Sequence, residues 1–127
     1  MTLPADVAFT VLAIGRLLLG GLYVSGGVHH FFALGPLTEA MRARGVPMPG
    51  LALIAGSLFQ ILAGVFLILG RYVTWSALGL VVFTIAASVI FLNFWSLEGD
   101  ARTNAFRGWQ TNLAIIGGLL VAAAIAG

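Results

Sequence analysis

The chain has 127 residues, 61% of them apolar and 8% charged, with no cysteine and a formal net charge of +2; its mean hydropathy is +1.10. Soluble domains carry about 25% charged residues, and a small one needs a large polar surface that six basic and four acidic residues cannot supply. A soluble domain, a disordered tail, a disulfide-built secreted module and a thiol-based redox enzyme are excluded, which leaves one small integral membrane domain over residues 1–127.

The isoelectric point near 10.0 is no sign of nucleic acid. Every basic residue is an arginine, placed singly rather than in a stripe, so nucleic acid is not an expected partner and the lipid bilayer is.

A helix needs about 20 apolar residues to cross a hydrocarbon core. The first such stretch covers about 7–32. It has Asp6 in front instead of a basic region, carries Arg16 inside, and is too long for a cleaved signal peptide, so it reads as a retained helix. A loop over 33–50 follows, punctuated by Pro36, Pro47 and Pro49, the last standing where a helix start tolerates proline. The second span covers about 51–69, and a tight Gly70-Arg71-Tyr72 turn leads to the third, about 73–95. A polar loop over 96–108 precedes the fourth, strongest over 110–126 and extended back to about 106 through Trp109 and Phe106. The runs are continuous, without period-2 alternation, and far longer than strands, so helices are predicted. No convincing internal repeat supports an inverted-repeat transporter. The predicted fold is an all-α, antiparallel four-helix transmembrane bundle held by Gly and Ala contacts.

Orientation follows from arginine placement. Arg42, Arg44, Arg102 and Arg107 lie in the first and third loops, and Arg71 alone lies on the side shared by the termini and the short turn. The expectation is a multi-pass protein of a prokaryotic cytoplasmic membrane, with loops 33–50 and 96–108 cytoplasmic and both termini outside. The third loop, with Arg102, Arg107, Phe106 and Trp109, suits the lipid interface.

Polar groups inside spans carry the functional signal, because hydrocarbon penalises them. Counting along the helices predicts a middle layer of Arg16, Gln60 and Thr84, opposite Gly117 and Gly118. Arg16, Gly20, Tyr23, Gly27 and His30 share one face of the first helix. Gly56, Gln60, Ala63 and Gly64 form a small-plus-polar stripe on the second, of the kind that lets membrane helices approach closely. All four acids lie outside the spans, so Arg16 has no carboxylate at its own depth. Two readings stand side by side: Arg16 bonds Gln60, Thr84, Tyr23 or backbone carbonyls, or snorkels to the terminal face; or it meets an anionic or carbonyl-bearing ligand, for which a lipid headgroup, a quinone oxygen or a partner subunit's acid would serve.

A second polar layer is predicted at the opposite end, from His29, His30, Asn93, Gln110, Thr111 and Asn112, with Trp95 and Trp109 at headgroup level. Asn93 shares a helical face with Gly79, Phe83, Ala86 and Ile90 and is expected to point inward. Adjacent histidines diverge by about 100° on a helix and suit no common metal, so no metal site is predicted. The layer reads as a polar clasp, or as a pH-responsive or quinone-contacting site. Motifs of nucleophilic, phosphate-binding and dithiol chemistry are missing from the sequence, so no catalytic residue is named and a non-catalytic role is favoured. The candidate ligand-binding set is Arg16, Tyr23, His30, Gln60, Thr84, Asn93 and Asn112.

Over about residues 11–123 the sequence resembles the DoxX family of small four-helix membrane proteins. The resemblance is carried by GRLLLGGLYVSGGVHHF in the first helix, GVPMPG before the second, FQILAGVFLILGR at its end and NLAIIGGLL in the fourth. It implies Glu where this chain has Gln60, His where it has Asn93 and Lys where it has Thr111, so an Arg–Glu pair of the family would here become Arg16–Gln60. It also implies a place near respiratory or sulfur redox chemistry, since some members are associated with thiosulfate:quinone oxidoreductase and others with complexes that detoxify oxidants. Three roles follow as expectations. The first is a non-catalytic accessory or anchoring subunit of a membrane redox complex, with a membrane-protein partner or a second copy of itself. The second is a quinone- or lipid-binding protein with a central polar pocket and no other cofactor, in one form a quinone-linked oxidoreductase component. The third is a small transporter, which would need a polar path across the bundle.

Overall fold

The computed structural model describes residues 2–126, and all regular structure among them is helical. The order is α1 (Ala5–Phe31), α2 (Leu34–Ala43), α3 (Pro49–Leu69), α4 (Val73–Phe91), a 3₁₀ turn (Phe94–Ser96) and α5 (Gly99–Ile125). Helices α1, α3, α4 (continued to Ser96) and α5 are long and apolar enough to cross a membrane. Large apolar side chains such as Leu18 and Val82, both 68% exposed, cover the outside. That exterior suits lipid and not water. The chain is a multi-pass, all-α membrane protein.

Two connecting segments differ from the sequence-based expectation of loops. Residues 34–43 form α2, with Met41 buried beneath it and the Glu39–Arg42 ion pair on its outer side. A short amphipathic helix of this kind covers a bundle end without adding a span. The expected loop 96–108 is mostly the start of α5, which begins at Gly99 with Asp100 in its first turn, where a carboxylate suits the helix dipole. Hydropathy marks where a helix enters lipid, and a polar helical start outside lipid gives no such signal. In the third span the α-helix ends at Phe91, and the 3₁₀ turn Phe94–Ser96 continues the span.

The closest approach is between α1 and α3. A methyl group at Gly64 would come 2.8 Å from the Gly20 carbonyl oxygen, and one at Gly20 would meet the Gly64 carbonyl. Only glycine on both sides permits this backbone contact. Gly27, set against Ile61 and the Ser57 carbonyl, continues it toward α2. The α3–α4 turn is closed by Gly70 at φ +72, with Arg71 N–H donating to the Phe66 carbonyl (3.0 Å) and Gly70 N–H to Leu67 (3.2 Å), a Schellman arrangement that satisfies the last carbonyls of α3.

This register divides the interior into two halves. Toward the termini, Leu67, Leu80 and Leu119 are fully buried together with Ala63, Ala77, Ala122 and Ala123 and form a continuous plug. Thr74 Oγ1 donates to the Ala123 carbonyl (2.9 Å) and joins α4 to α5 there. Toward α2 the interior is hollow. The C-terminal end of α4 is completed from outside: Arg44 donates to the carbonyls of Ile90 (3.1 Å) and Val89 (3.2 Å), and Trp109 Nε1 donates to that of Leu92 (2.7 Å). A cation at this end also suits the helix dipole, and it ties the far end of α2 to α4.

Gly64→Leu is expected to destabilise the bundle by about 3 kcal/mol or more, the upper end of overpacking costs. Gly15→Ala, where nothing lies within 4 Å, leaves stability unchanged or slightly raised. Thermal unfolding of both variants in detergent checks the contrast.

Candidate functional site

The hollow half holds a partly open cavity of about 580 Å³, walled by Leu22, Tyr23, Gly26 and His30 of α1, by Ala52, Leu53, Gly56, Ser57 and Gln60 of α3, by Phe83, Thr84, Ala86, Ala87, Ile90 and Phe91 of α4, and by Thr111, Asn112 and Ile115 of α5. Met41 and Val46 close it from the α2 side. Its walls are mainly aliphatic and aromatic, with a few convergent polar groups. This is the usual constitution of a small-molecule site. Helix α1 packs along α3 and α4 along α5, but α1 meets α5 over only a short stretch. Exposed Leu22 and Thr111 stand on that seam, so the cavity is least covered toward the bilayer.

The polar groups are held in order. Tyr23 Oη and Thr84 Oγ1 share a hydrogen bond of 2.6 Å across the bundle. Gln60 Nε2 donates to the backbone carbonyl of Tyr23 (3.0 Å), and its amide lies 2.8 Å from where a Cβ at Gly26 would stand, so Gly26 is what lets it in. Gln60 is 5% exposed, and its Oε1 has no hydrogen-bond partner. On the far wall, Asn112 Nδ2 donates to Ser88 Oγ (2.8 Å), and Ser88 Oγ donates to the Thr84 carbonyl (2.7 Å). Near α2, His30 Nδ1 and Ser57 Oγ are 2.9 Å apart, while His29 is exposed.

Of the seven candidate residues, the structure brings five to one cavity: Tyr23, His30, Gln60, Thr84 and Asn112. Arg16 is elsewhere. Its guanidinium lies against Gly70, so close that a methyl group there would meet it at 3.0–3.1 Å, and it lines a separate recess of about 390 Å³ with Thr74, Trp75 and Ala126. The expected middle layer of Arg16 with Gln60 is therefore not formed. Counting each span from its own apolar start placed the two at equal depth. The Gly20–Gly64 contact instead pairs Gln60 with Tyr23 and Gly26, and leaves Arg16 level with the α3–α4 turn. Arg16 makes no bond to Gln60, Thr84 or Tyr23, and its Nε is buried without a hydrogen-bond partner. The Arg16–Gln60 pairing that the resemblance implied is not made. A Cβ at Gly117 would meet nothing within 4 Å and one at Gly118 only Leu19, and neither residue lines the cavity.

Asn93 also departs from expectation. It lies beyond the end of α4, with φ −79 and ψ 61, and does not line the cavity. The helical face that would have turned it inward ends two residues earlier. Ser57 and Met41 line the cavity and Ser88 is bonded to Asn112 behind it; none of the three was predicted. Ser57 and Ser88 are each 1% exposed; Ser57 adjoins the Gly56–Gln60 stripe, the one signal by which it was legible. Arg44, weighed only as a topological charge, secures the cover of the cavity.

A double-mutant cycle of Tyr23→Phe and Thr84→Val, read by unfolding in detergent, should give a coupling near the average of about 0.6 kcal/mol for hydrogen bonds between membrane helices, with about 1.7 as the ceiling. Arg16→Leu combined with Thr84→Val should be additive.

A family model named DoxX matches residues 11–93. The chain is also similar to the inner membrane protein YphA of Escherichia coli (strain K12), 26% identical over 114 residues that cover 89% of this chain and 81% of YphA. No solved structure matches. With four membrane-spanning helices and a family match over most of its length, the chain belongs to the DoxX family.

Proposed function

We propose that this protein binds a lipid-soluble small molecule, of the quinone or lipid class, in the cavity between α1, α3, α4 and α5. One observation carries the reading: a space of about 580 Å³ with mainly apolar walls has the polar side chains of Gln60, Tyr23 and Thr84 in its lining. Lipid solvation accounts for the apolar exterior of any such bundle, so that exterior gives no preference to an accessory or anchoring subunit of a redox complex. It does not account for a hollow interior with a few convergent polar groups. The two roles are compatible, and a subunit that holds the mobile ligand for a membrane-protein partner or a second copy would use both surfaces. A transport path is disfavoured by the leucine plug, because Leu67, Leu80 and Leu119 leave the cavity blind toward the termini. The bound molecule would enter from the bilayer between α1 and α5, its apolar body against Phe83, Ile90 and Ile115 and its polar end toward Gln60, Tyr23 and Thr84. With the arginine-rich segments cytoplasmic, the cavity lies in the inner half of the membrane.

Purification in mild detergent followed by mass spectrometry of retained small molecules should find a lipid-soluble compound at near one per chain. Ala87→Phe, which fills the cavity from α4, should abolish retention with the bundle still folded. A wild-type protein that carries nothing, and takes up neither added quinone nor lipid, would refute the reading. Orientation is checked separately: the chain has no native cysteine, so a cysteine at Thr103 should react with an impermeant maleimide only after the cells are opened.

A further inference from the structure

The recess at the terminal end of the bundle differs in chemistry from the cavity. Among the described residues that line it, Arg16 is the one with a charged side chain. Its guanidinium rests on Gly70, where a side chain would meet it at 3.0–3.1 Å. A guanidinium carries donors only, and the Nε of this one is buried without a hydrogen-bond partner. No side-chain carboxylate answers it among the described residues. Asp6 stands ten residues earlier on α1, about 15 Å away along a helix that rises about 1.5 Å per residue. Glu39, Glu98 and Asp100 belong to the α2 end, where Glu39 pairs with Arg42. A cation at the edge of hydrocarbon without a counter-charge is costly, so its position is favourable for an anion.

The start of α4 adds donors at the same place. Tyr72 is its N-cap, and no side chain caps the helix. Ser76 N–H donates to the Tyr72 carbonyl (2.9 Å), which leaves the N–H groups of Val73, Thr74 and Trp75 without acceptors in the helix. All three residues line the recess. The 19-residue α4 also brings the positive end of its dipole there. An arginine of α1 and the first turn of α4 thus border one recess of about 390 Å³. Its rim suits the membrane surface: Trp75 is 78% exposed and Tyr72 69%, and amphipathic rings of this kind settle at headgroup level.

We infer that the recess is an anion site, which takes one phosphate-type oxyanion at the membrane face on the side of the termini. The Arg16 guanidinium and the first-turn N–H groups of α4 donate to its oxygens. The phosphodiester of a phospholipid reaches the recess from the adjoining leaflet, and free phosphate carries the same group from water. The leucine plug separates this site from the cavity, so the two bind independently.

The lipid probes are dioleoyl phosphatidylglycerol and dioleoylglycerol, which share their acyl chains and differ in the phosphate-bearing head. Their binding to the delipidated full chain in detergent is measured by native mass spectrometry, and that of inorganic phosphate by calorimetry. Wild type should hold one phosphatidylglycerol about tenfold more tightly than dioleoylglycerol, the scale of hydrogen bonds to a charged group. Arg16→Gln should lose this preference, and Arg16→Lys should recover most of it. Arg71→Gln removes an exposed charge at the same end without touching the recess, and should keep the preference to within about twofold. Ala87→Phe, in the separate cavity, should keep it too. Uptake of inorganic phosphate that Arg16→Gln abolishes, with no preference between the lipids, supports the site and makes the soluble ion its source. No preference between the lipids and no uptake of phosphate by wild type overturns the inference, whether or not Arg16→Gln folds. A preference that survives in Arg16→Gln, or falls as far in Arg71→Gln, overturns it as well. Loss in Ala87→Phe assigns the lipid to the cavity and overturns the separate site, with the cavity reading left standing.

Discussion

Backbone contact between α1 and α3 at Gly20 and Gly64 fixes most of what is distinctive here. With no side chain on either residue, two helices meet at carbonyl distance, and their relative sliding is set by that pair. The register then presents Gln60 to the Tyr23 carbonyl, Ser57 to His30 and Gly70 to Arg16. In lipid, helices gain nothing from hiding apolar surface, because tails are as apolar as leucine, so close packing and interhelical hydrogen bonds must decide how they fit. The glycine pair supplies the first and the glutamine the second.

The same register separates a sealed half from a hollow half. The terminal half is filled between the helices mainly by leucine and alanine, with the Arg16 recess at its end. The other half keeps alanines and glycines at Gly26, Ala52, Gly56, Ala86 and Ala87, where larger side chains would fill the space. Its polar groups are not scattered: they form a layer at the floor of the cavity, with Tyr23 and Thr84 bonded across the bundle and Ser88 and Asn112 behind them. Each bond orients a group that would otherwise be free to turn, which is how a few polar atoms fix the pose of an apolar molecule.

The cover over this half belongs to the membrane surface. Helix α2 places Met41 inward and Glu39 and Arg42 outward, and Arg44 anchors its end on the last carbonyls of α4. Trp109, bonded to Leu92 and tilted against Trp95 at 6.4 Å between ring centroids, fixes α5 at the same level. Indole rings with one polar edge suit the headgroup boundary. The end that carries these groups is also the end that holds the arginine-rich segments.

Composition and hydropathy by themselves determined that this chain lives in a membrane, crosses it four times and is helical, because hydrocarbon leaves so few ways to satisfy a backbone. The small-plus-polar stripes of α1 and α3 also identified Tyr23, His30 and Gln60 as inward-facing, since helical periodicity is a local property. Thr84 and Asn112 were legible as polar groups inside spans. Only the tertiary structure decided which of these residues meet. Depth counted along each helix ignores the sliding of one helix past another, and that sliding separated Arg16 from Gln60. Periodicity also assumes that a helix continues, and the end of α4 at Phe91 removed Asn93 from the site. The cavity itself has no local signature: it is the volume left when small residues from four helices come to one level, and which level they share depends on the glycine contact that joins α1 to α3.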